Sequence, residues 1–407
     1  MDPEYDFVVA GAGPAGLQFA REVVSNSDRS VAVLERNAAL SDNDKSTGGT
    51  FPEVVEGYGV PDNVVMAEAG SVTFESPNNG CRHPMDTYVL DFPHFLEFLG
   101  EDAASDGADV LTGHRVTGPV VENGTVRGVR YRTADGEDGT LRARITVDAT
   151  GPAATLSDPL GYFDTGTAHR GIGLEIEAEG RYDTDDTLLF SFDHADAPGG
   201  YAWTFPAGEE VFKAGVCWVD EFRAARPDGR TITDYVERWV ETDPRWKVET
   251  VRARHAGEAV WNDSMNRRAG DGFLAVGDAA SSINPLFGEG IRPGMESARM
   301  AAEVALSALR AGEVSRPWLL PYERRWNDRR GRAWKLQRVV SELLYDFDDA
   351  QQDAFVERVA ALPPGKAERL RTYELDTLSL ARLYPFRPKD LPKLPTILRH
   401  LRGSRPT

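Results

Sequence analysis

Cysteine is almost absent from this sequence of 407 residues, occurring only as Cys81 and Cys217. Two thiols make neither a disulfide framework nor a thiolate metal site, and they suit a reducing cytosol. Lysine is scarce too, at Lys45, Lys213, Lys247, Lys335, Lys366, Lys389 and Lys393, while arginine is spread throughout. With 46 basic against 65 acidic residues the formal net charge is −19. That balance argues against nucleic acid as a partner, because phosphate-binding surfaces need clustered Lys and Arg. Long apolar runs are missing as well, and none approaches the ~18 residues of a membrane span. Neither a basic stretch nor an apolar core precedes Tyr5-Asp6-Phe7-Val8-Val9-Ala10, so no signal peptide is expected and a cytoplasmic location is. The seven histidines are scattered, no His/carboxylate pair has catalytic spacing, and no general acid stands out. No metal site is expected.

Two accounts cover the acid-rich, lysine-poor composition. In a salt-loaded cytoplasm high ionic strength shortens the Debye length and damps self-repulsion. An acidic enzyme from a GC-rich genome would also prefer Arg to Lys.

At this length, and with 41% hydrophobic residues, a folded protein of two connected domains with a helical appendage is expected. The opening strand runs into Gly11-Ala12-Gly13-Pro14-Ala15-Gly16, and Leu17, Ala20, Val23 and Val24 share one face of the next helix. Val31 to Leu34 form a second apolar strand ending at Glu35. In such a βαβ unit Gly11 permits the tight turn, Gly13 the approach of backbone to a pyrophosphate, and Gly16 close helix-to-strand packing. Glu35 can accept hydrogen bonds from ribose hydroxyls and disfavours a 2′-phosphate. An ordinary glycine turn is the bland alternative.

Roughly 240 residues later, Gly277-Asp278 closes another strand and Pro285-Leu286-Phe287-Gly288-Glu289-Gly290-Ile291 leads into a helix. An acid at Asp278 can bond a ribityl hydroxyl, which FAD has and NAD lacks. Residues 285–290 are expected to offer free backbone amides at a helix start, where the anionic edge of a reduced flavin would be stabilised. Glu289 is expected to hold this loop, with a plain loop and a solvated acid as the rival reading.

Between these segments, residues 37–66 read as a loop, 72–74 and 88–90 as short strands, and 92–104 as a helix. Glu122-Asn123-Gly124 marks a hairpin over 116–132, and 145–151 reads as a buried strand stopping at a glycine. Alternation over 165–265 suggests a mainly antiparallel sheet with one helix near 233–241, and 294–309 and most of the chain beyond residue 309 read as helical. The expected fold class is α/β: a Rossmann-like FAD-binding domain (1–68, 92–165, 266–312), an inserted substrate sheet domain (69–91, 166–265) and a C-terminal helical region with a basic tail (313–407). In Tyr201-Ala202-Trp203-Thr204-Phe205-Pro206 three rings fall on one face, either as a core face or as one wall of an apolar pocket. From residue 381 the chain becomes basic, with Arg382, Arg387, Lys389, Lys393, Arg399, Arg402 and Arg405 interleaved with Leu391, Leu394, Ile397, Leu398 and Leu401. Such a tail suits anionic lipid headgroups at a membrane face, or the protein's own acidic surface.

The order of Gly11-x-Gly13-x-x-Gly16, Glu35, Lys45-x-x-Gly48-Gly49, Tyr201-x-Trp203-x-Phe205-Pro206, Gly277-Asp278 and Pro285-x-x-Gly288-Glu289-Gly290-Ile291 resembles the geranylgeranyl reductase family over roughly residues 5–310. The resemblance implies a para-hydroxybenzoate hydroxylase-like fold and reduced FAD saturating prenyl double bonds of ether lipids, quinones or chlorophyll precursors. Taken with the acid-rich, lysine-poor composition, for which a salt-loaded cytoplasm is the leading account, it suggests a halophilic archaeal source; the resemblance places Arg36, Gly49, Val116 and Gly151 beside the cofactor, with Tyr201, Trp203, Phe205 and Pro206 beside the prenyl chain. Thr47 replaces a cysteine common in archaeal lipid reductases, and Phe92 replaces an arginine. Asp148-Ala149-Thr150-Gly151 lacks the Ser and Arg that come after the related hydroxylase fingerprint, leaving ferredoxin beside NAD(P)H as electron donor. A flavin monooxygenase or halogenase, a carotenoid cyclase and a non-catalytic prenyl-binding protein are the alternative readings.

Overall fold

Phe7, Val8, Val9 and Ala10 carry no polar side chain because their strand is covered on both faces. In this computed structural model, which describes residues 3–390 apart from 167, 185, 262–266, 373, 375–378, 380–381 and 389, strand Tyr5–Ala10 lies between Val31–Leu34 and Asp138–Asp148, parallel to both. Phe7 and Val9 face helices Pro14–Asn26, Phe92–Ser105 and Ile291–Arg310. Val8 and Ala10 face the opposite way, into a core with Val126, Val129 and Leu141. Strands Asp109–Leu111, Phe273–Ala275 and Ala269–Gly270 extend the sheet at its two edges. The hairpin His114–Glu122 and Thr125–Thr133 turns at Asn123 (φ 49°) and Gly124 (φ 80°), the left-handed pair that a two-residue connection requires.

A second sheet runs in the order Trp246–Trp261, His169–Tyr182, Val211–Val219, Gly200–Pro206, Leu188–Ser191, Val65–Glu75, Gly80–Leu90 and Gly49–Thr50. All its pairings are antiparallel except Leu188–Ser191 with Val65–Glu75. The segments expected as short strands at 72–74 and 88–90 lie within a hairpin of two eleven-residue strands. Its remaining positions, such as Glu68, Gly70, His83 and Asp86, have weak strand preference; pairing with neighbours and two register shifts hold them in the sheet. Helix Ile232–Thr242 starts at a capping box of Thr231 and Asp234. A further short helix, Asp220–Ala224, was not evident from sequence pattern, and the 37–66 stretch contains helix Pro52–Val55 as well as strand Gly49–Thr50.

Helices Arg316–Trp326, Arg332–Leu344, Asp349–Ala360 and Pro364–Arg371 come next. Tyr345, Phe347 and Phe355 enter the same core as Phe74 and Trp203, so this region backs the second sheet directly. Among the described residues no helix is long and apolar enough to cross a membrane. The basic tail lies largely outside those residues; within them, Arg387 pairs with Asp348 at 3.2 Å.

Gly16 shows how tightly the first turn is packed. A Cβ there would sit 2.0 Å from the Gly11 carbonyl oxygen and 3.1 Å from the Ala149 methyl, whereas one on Gly13 meets nothing within 4 Å. Gly16→Ala is therefore expected to lower stability by about 3 kcal/mol in thermal or denaturant unfolding, and Gly13→Ala by less than about 1 kcal/mol. Equal losses would contradict this packing.

Candidate functional site

Ala10 and Ala275 are both register partners of Asp148, on opposite sides of strand Asp138–Asp148. The two glycine turns therefore leave the same end of the sheet, about 10 Å apart by strand spacing. Gly11 (φ 102°) and Gly277 (φ 59°) take left-handed backbone there. A Cβ on Gly11 would lie 2.4 Å from the Ala149 carbonyl oxygen, and one on Gly277 would lie 2.8 Å from the Ala15 methyl. Helices Pro14–Asn26 and Ile291–Arg310 start at this point, both without a side-chain cap, so the amides of two first turns converge.

One cavity of about 570 Å³ continues from these turns into the second sheet. Gly11, Gly13, Pro14, Ala15, Glu35, Arg36, Val116 and Gly151 line one end. The late segment contributes Gly277, Asp278, Pro285, Gly288, Glu289, Gly290 and Ile291, and the second sheet contributes Gly49, Tyr201, Trp203 and Phe205. Gly16 and Pro206 do not reach the wall: Gly16 packs behind the turn, and Pro206 ends its strand opposite Phe212.

Several acids have their partners inside the protein. Glu35 accepts the Ala12 amide on Oε2 and the Asn37 amide on Oε1, each at 3.0 Å, and so fixes the turn it borders. Asp148 is fully buried and accepts from the Thr150, Leu156 and Ser157 amides and from the Thr150 and Ser157 hydroxyls, at 2.6–3.0 Å. Glu289 meets Arg292, on the helix that follows, through both oxygens, at 2.8 and 3.0 Å. Burial pushes the Asp278 carboxyl up to about 6, against the opposing pull of Lys45.

The expectation of free amides throughout 285–290 needs correction. Asn284 Oδ1 takes the Leu286 and Phe287 amides, the Asn284 carbonyl takes that of Gly288, and Pro285 has none. The helix start that follows, at Gly290 and Ile291, has no side-chain cap. The loop is held from outside by the Tyr201 hydroxyl on the Phe287 carbonyl (2.8 Å), the Tyr345 hydroxyl on the Leu286 carbonyl (2.9 Å) and the Trp334 indole on the Ser282 carbonyl (3.0 Å).

Tyr201, Trp203 and Phe205 do share the cavity face, while Ala202 and Thr204 face the core that contains Trp239. Phe74, Phe190 and Phe287, which sequence reasoning missed, complete an aromatic chamber. Phe190 pairs in register with Phe74 across the parallel strands, at 5.9 Å between ring centroids, and lies 5.2 Å from Phe205. That parallel pairing has no signature in local pattern. Glu175 was missed as well, because Glu175, Glu177 and Glu179 alternate like a solvated strand face; in the fold Glu175 is buried in the cavity wall, with His255 as its cross-strand partner. The histidine–carboxylate neighbours absent from sequence spacing are thus supplied by pairing, and His255 also binds Asp44 at 3.1 Å.

A family model described as FAD binding domain matches residues 4–339. Over 378 residues the chain is 35% identical to a digeranylgeranylglycerophospholipid reductase of Haloferax volcanii, covering 89% of this chain and 91% of that protein. A solved geranylgeranyl bacteriochlorophyll reductase-like protein from Thermoplasma acidophilum matches with a TM-score of 0.81 at 21% identity, over 98% of each chain. A solved flavin-dependent brominase matches with a TM-score of 0.71 at 17% identity, over 96% of this chain and 99% of that one. At those identities the two structures speak for the fold alone.

Removing the two tyrosine hydroxyls tests the hold on the loop. In Tyr201→Phe and Tyr345→Phe, hydrogen exchange at the Leu286 to Gly288 amides is expected to quicken about tenfold for each bond lost. Unchanged exchange would show that the loop does not depend on them.

Proposed function

This chain belongs to the FAD binding domain family, and from that premise we propose that it saturates double bonds of a geranylgeranyl-type prenyl lipid as an FAD-dependent reductase. The observation that carries the proposal is the single cavity joining paired glycine turns to an aromatic chamber. A prenyl chain offers only CH groups, and a chamber of Phe74, Phe190, Trp203 and Phe205 rewards their burial by about 0.8 kcal/mol per CH₂. When bound and reduced, FAD supplies the hydride.

The residues present fit that cofactor. The space above Gly13 is open and the uncapped start at Pro14 and Ala15 faces it, as a pyrophosphate needs. Glu35 retains lone pairs for ribose hydroxyls, with Arg36, Val116 and Gly151 around the same end and Gly49 against Phe205. Asp278 is assigned to the ribityl chain. The uncapped start at Gly290 and Ile291, after Pro285, Gly288 and Glu289, is assigned to the anionic flavin edge. Because Asp148 is taken up by its own turn, a donor such as ferredoxin is favoured over NAD(P)H. Contact of the basic tail with anionic lipid would bring the enzyme to its substrate; composition is the support for it.

Two measurements test the assignment. Asp278→Ala is expected to weaken FAD binding about 10- to 100-fold, the worth of a hydrogen bond to a charged group. Wild-type affinity should also fall as pH drops through about 6, where the Asp278 carboxylate protonates, and Asp278→Asn should lack that step. A titration unchanged by either substitution removes Asp278 from the site. For the activity, dithionite-reduced holoenzyme is incubated anaerobically with digeranylgeranyl phospholipid and the product is weighed by mass spectrometry. A gain of one H₂ per double bond is expected. Unchanged lipid together with halide-dependent turnover of an aromatic compound would replace the reading with a halogenase.

A further inference from the structure

Adding hydride to an isolated double bond leaves the other alkene carbon in need of a proton, and the cavity wall contains one buried acid arranged to give it. Glu175 lies on strand His169–Tyr182, opposite Gly215 on one side and His255 on the other. The missing side chain at Gly215 makes room for the Trp203 indole, since a Cβ there would sit 2.3 Å from Trp203 Cζ2. Trp203 Nε1–H donates to Glu175 Oε2 at 2.7 Å, and the Thr47 hydroxyl donates to the same oxygen. Oε1 is shut off from bulk water and has no hydrogen-bond partner among the described residues.

We propose that Glu175 is the proton donor of the reduction, holding its proton on Oε1 and, once prenyl binding opens a contact to that covered oxygen, delivering it to one carbon of the double bond while hydride from reduced flavin reaches the other. The inference rests on the prenyl reductase reading. The π pair forms the new bond to the proton and the hydride pair forms the second C–H bond. The flavin is oxidised by two electrons, and Glu175 is left as carboxylate. Two donors on Oε2 leave Oε1 as the place for the acid proton, and the same two donors stabilise the carboxylate afterwards.

The groups around the acid set its balance. Burial in an apolar wall pushes the Glu175 carboxyl up, opposed by Lys213, by the Thr47 and Trp203 hydrogen bonds and by His255. From strand Val211–Val219 come Lys213, whose ammonium is 3.9 Å from Glu177 and 3.4 Å from the Thr47 carbonyl, and Cys217, a thiol kept neutral by burial. From strand Trp246–Trp261 comes His255, with Nδ1 on the Asp44 carbonyl at 2.9 Å and Nε2 buried without a partner among the described residues. The loop before Thr47 contributes Asp44 and the exposed Lys45.

Glu175→Gln keeps the size of the side chain and an acceptor for Trp203 and Thr47, but cannot deliver a proton. Single-turnover lipid reduction should fall about 10²- to 10⁴-fold, with lipid KM and FAD affinity unchanged. The wild-type rate should decline as pH rises through the folded pKa of Glu175, with no such limb in the variant. Trp203→Phe, which removes one stabiliser of the carboxylate, should move the limb to higher pH. A readout independent of turnover is the infrared difference between flavin-free wild type and Glu175→Gln: a protonated-carboxyl band is expected in the wild type below the folded pKa of Glu175 and should vanish as pH rises through it. Absence of that band, or a Glu175→Gln enzyme as fast as wild type, overturns the proton donor while leaving the reductase standing. A variant that binds lipid or FAD more weakly with its pH profile intact points to a structural role and overturns it too. Wild-type enzyme that leaves prenyl lipid unchanged overturns both.

Discussion

Strand Asp138–Asp148 separates Tyr5–Ala10 from Phe273–Ala275, and the site depends on that one interposition. It brings two glycine turns some 265 residues apart to the same end of one parallel sheet. Contact between them is then closed by small residues: the Ala15 methyl occupies the space that a Cβ on Gly277 would claim. The helix starts at Pro14 and Ile291 are fixed by the same packing, so their unmet first-turn donors face one cavity. A cofactor long enough to need both ends finds them already at a set separation.

The second constraint is electrostatic. Ionised groups are costly to bury unless paired, yet Glu175 and Lys213 both sit deep in the second sheet beside aromatic rings. The two side chains are linked through Thr47, whose hydroxyl donates to Glu175 and whose carbonyl accepts from Lys213, and burial pushes the Glu175 carboxyl up. The arrangement is made possible by Gly215, which lets an indole lie flat enough to reach the acid. Thr47 acts here as a hydroxyl donor to that acid.

Local chemistry was what the sequence made legible. Gly11 to Glu35 declared a strand, turn, helix and strand because each step has its own short-range cause, and Asn123-Gly124 declared its hairpin in the same way. Tyr201, Trp203 and Phe205 could be placed on one face by strand alternation alone. What depended on pairing stayed hidden: Phe74 beside Phe190 across parallel strands, His255 opposite Glu175, and the C-terminal helices closing behind the chamber. The amides of 285–288 were overcounted because Asn284, a side chain ahead of the loop, captures two of them. Glu175 looked solvated because polar alternation on a strand reports which residues share a face, and does not report what that face meets.

The central claim is that cofactor and prenyl chain share one cavity, meeting where the late glycine loop approaches Trp203. The most direct test is a crystal structure of the protein with FAD and an unsaturated prenyl phospholipid. The account predicts the adenosine end beside Glu35, the flavin ring between Gly290 and Trp203, and a double bond within reach of both that ring and Glu175 Oε1. A prenyl chain bound outside the Phe74, Phe190 and Trp203 chamber, or a flavin ring turned away from it, would contradict the account.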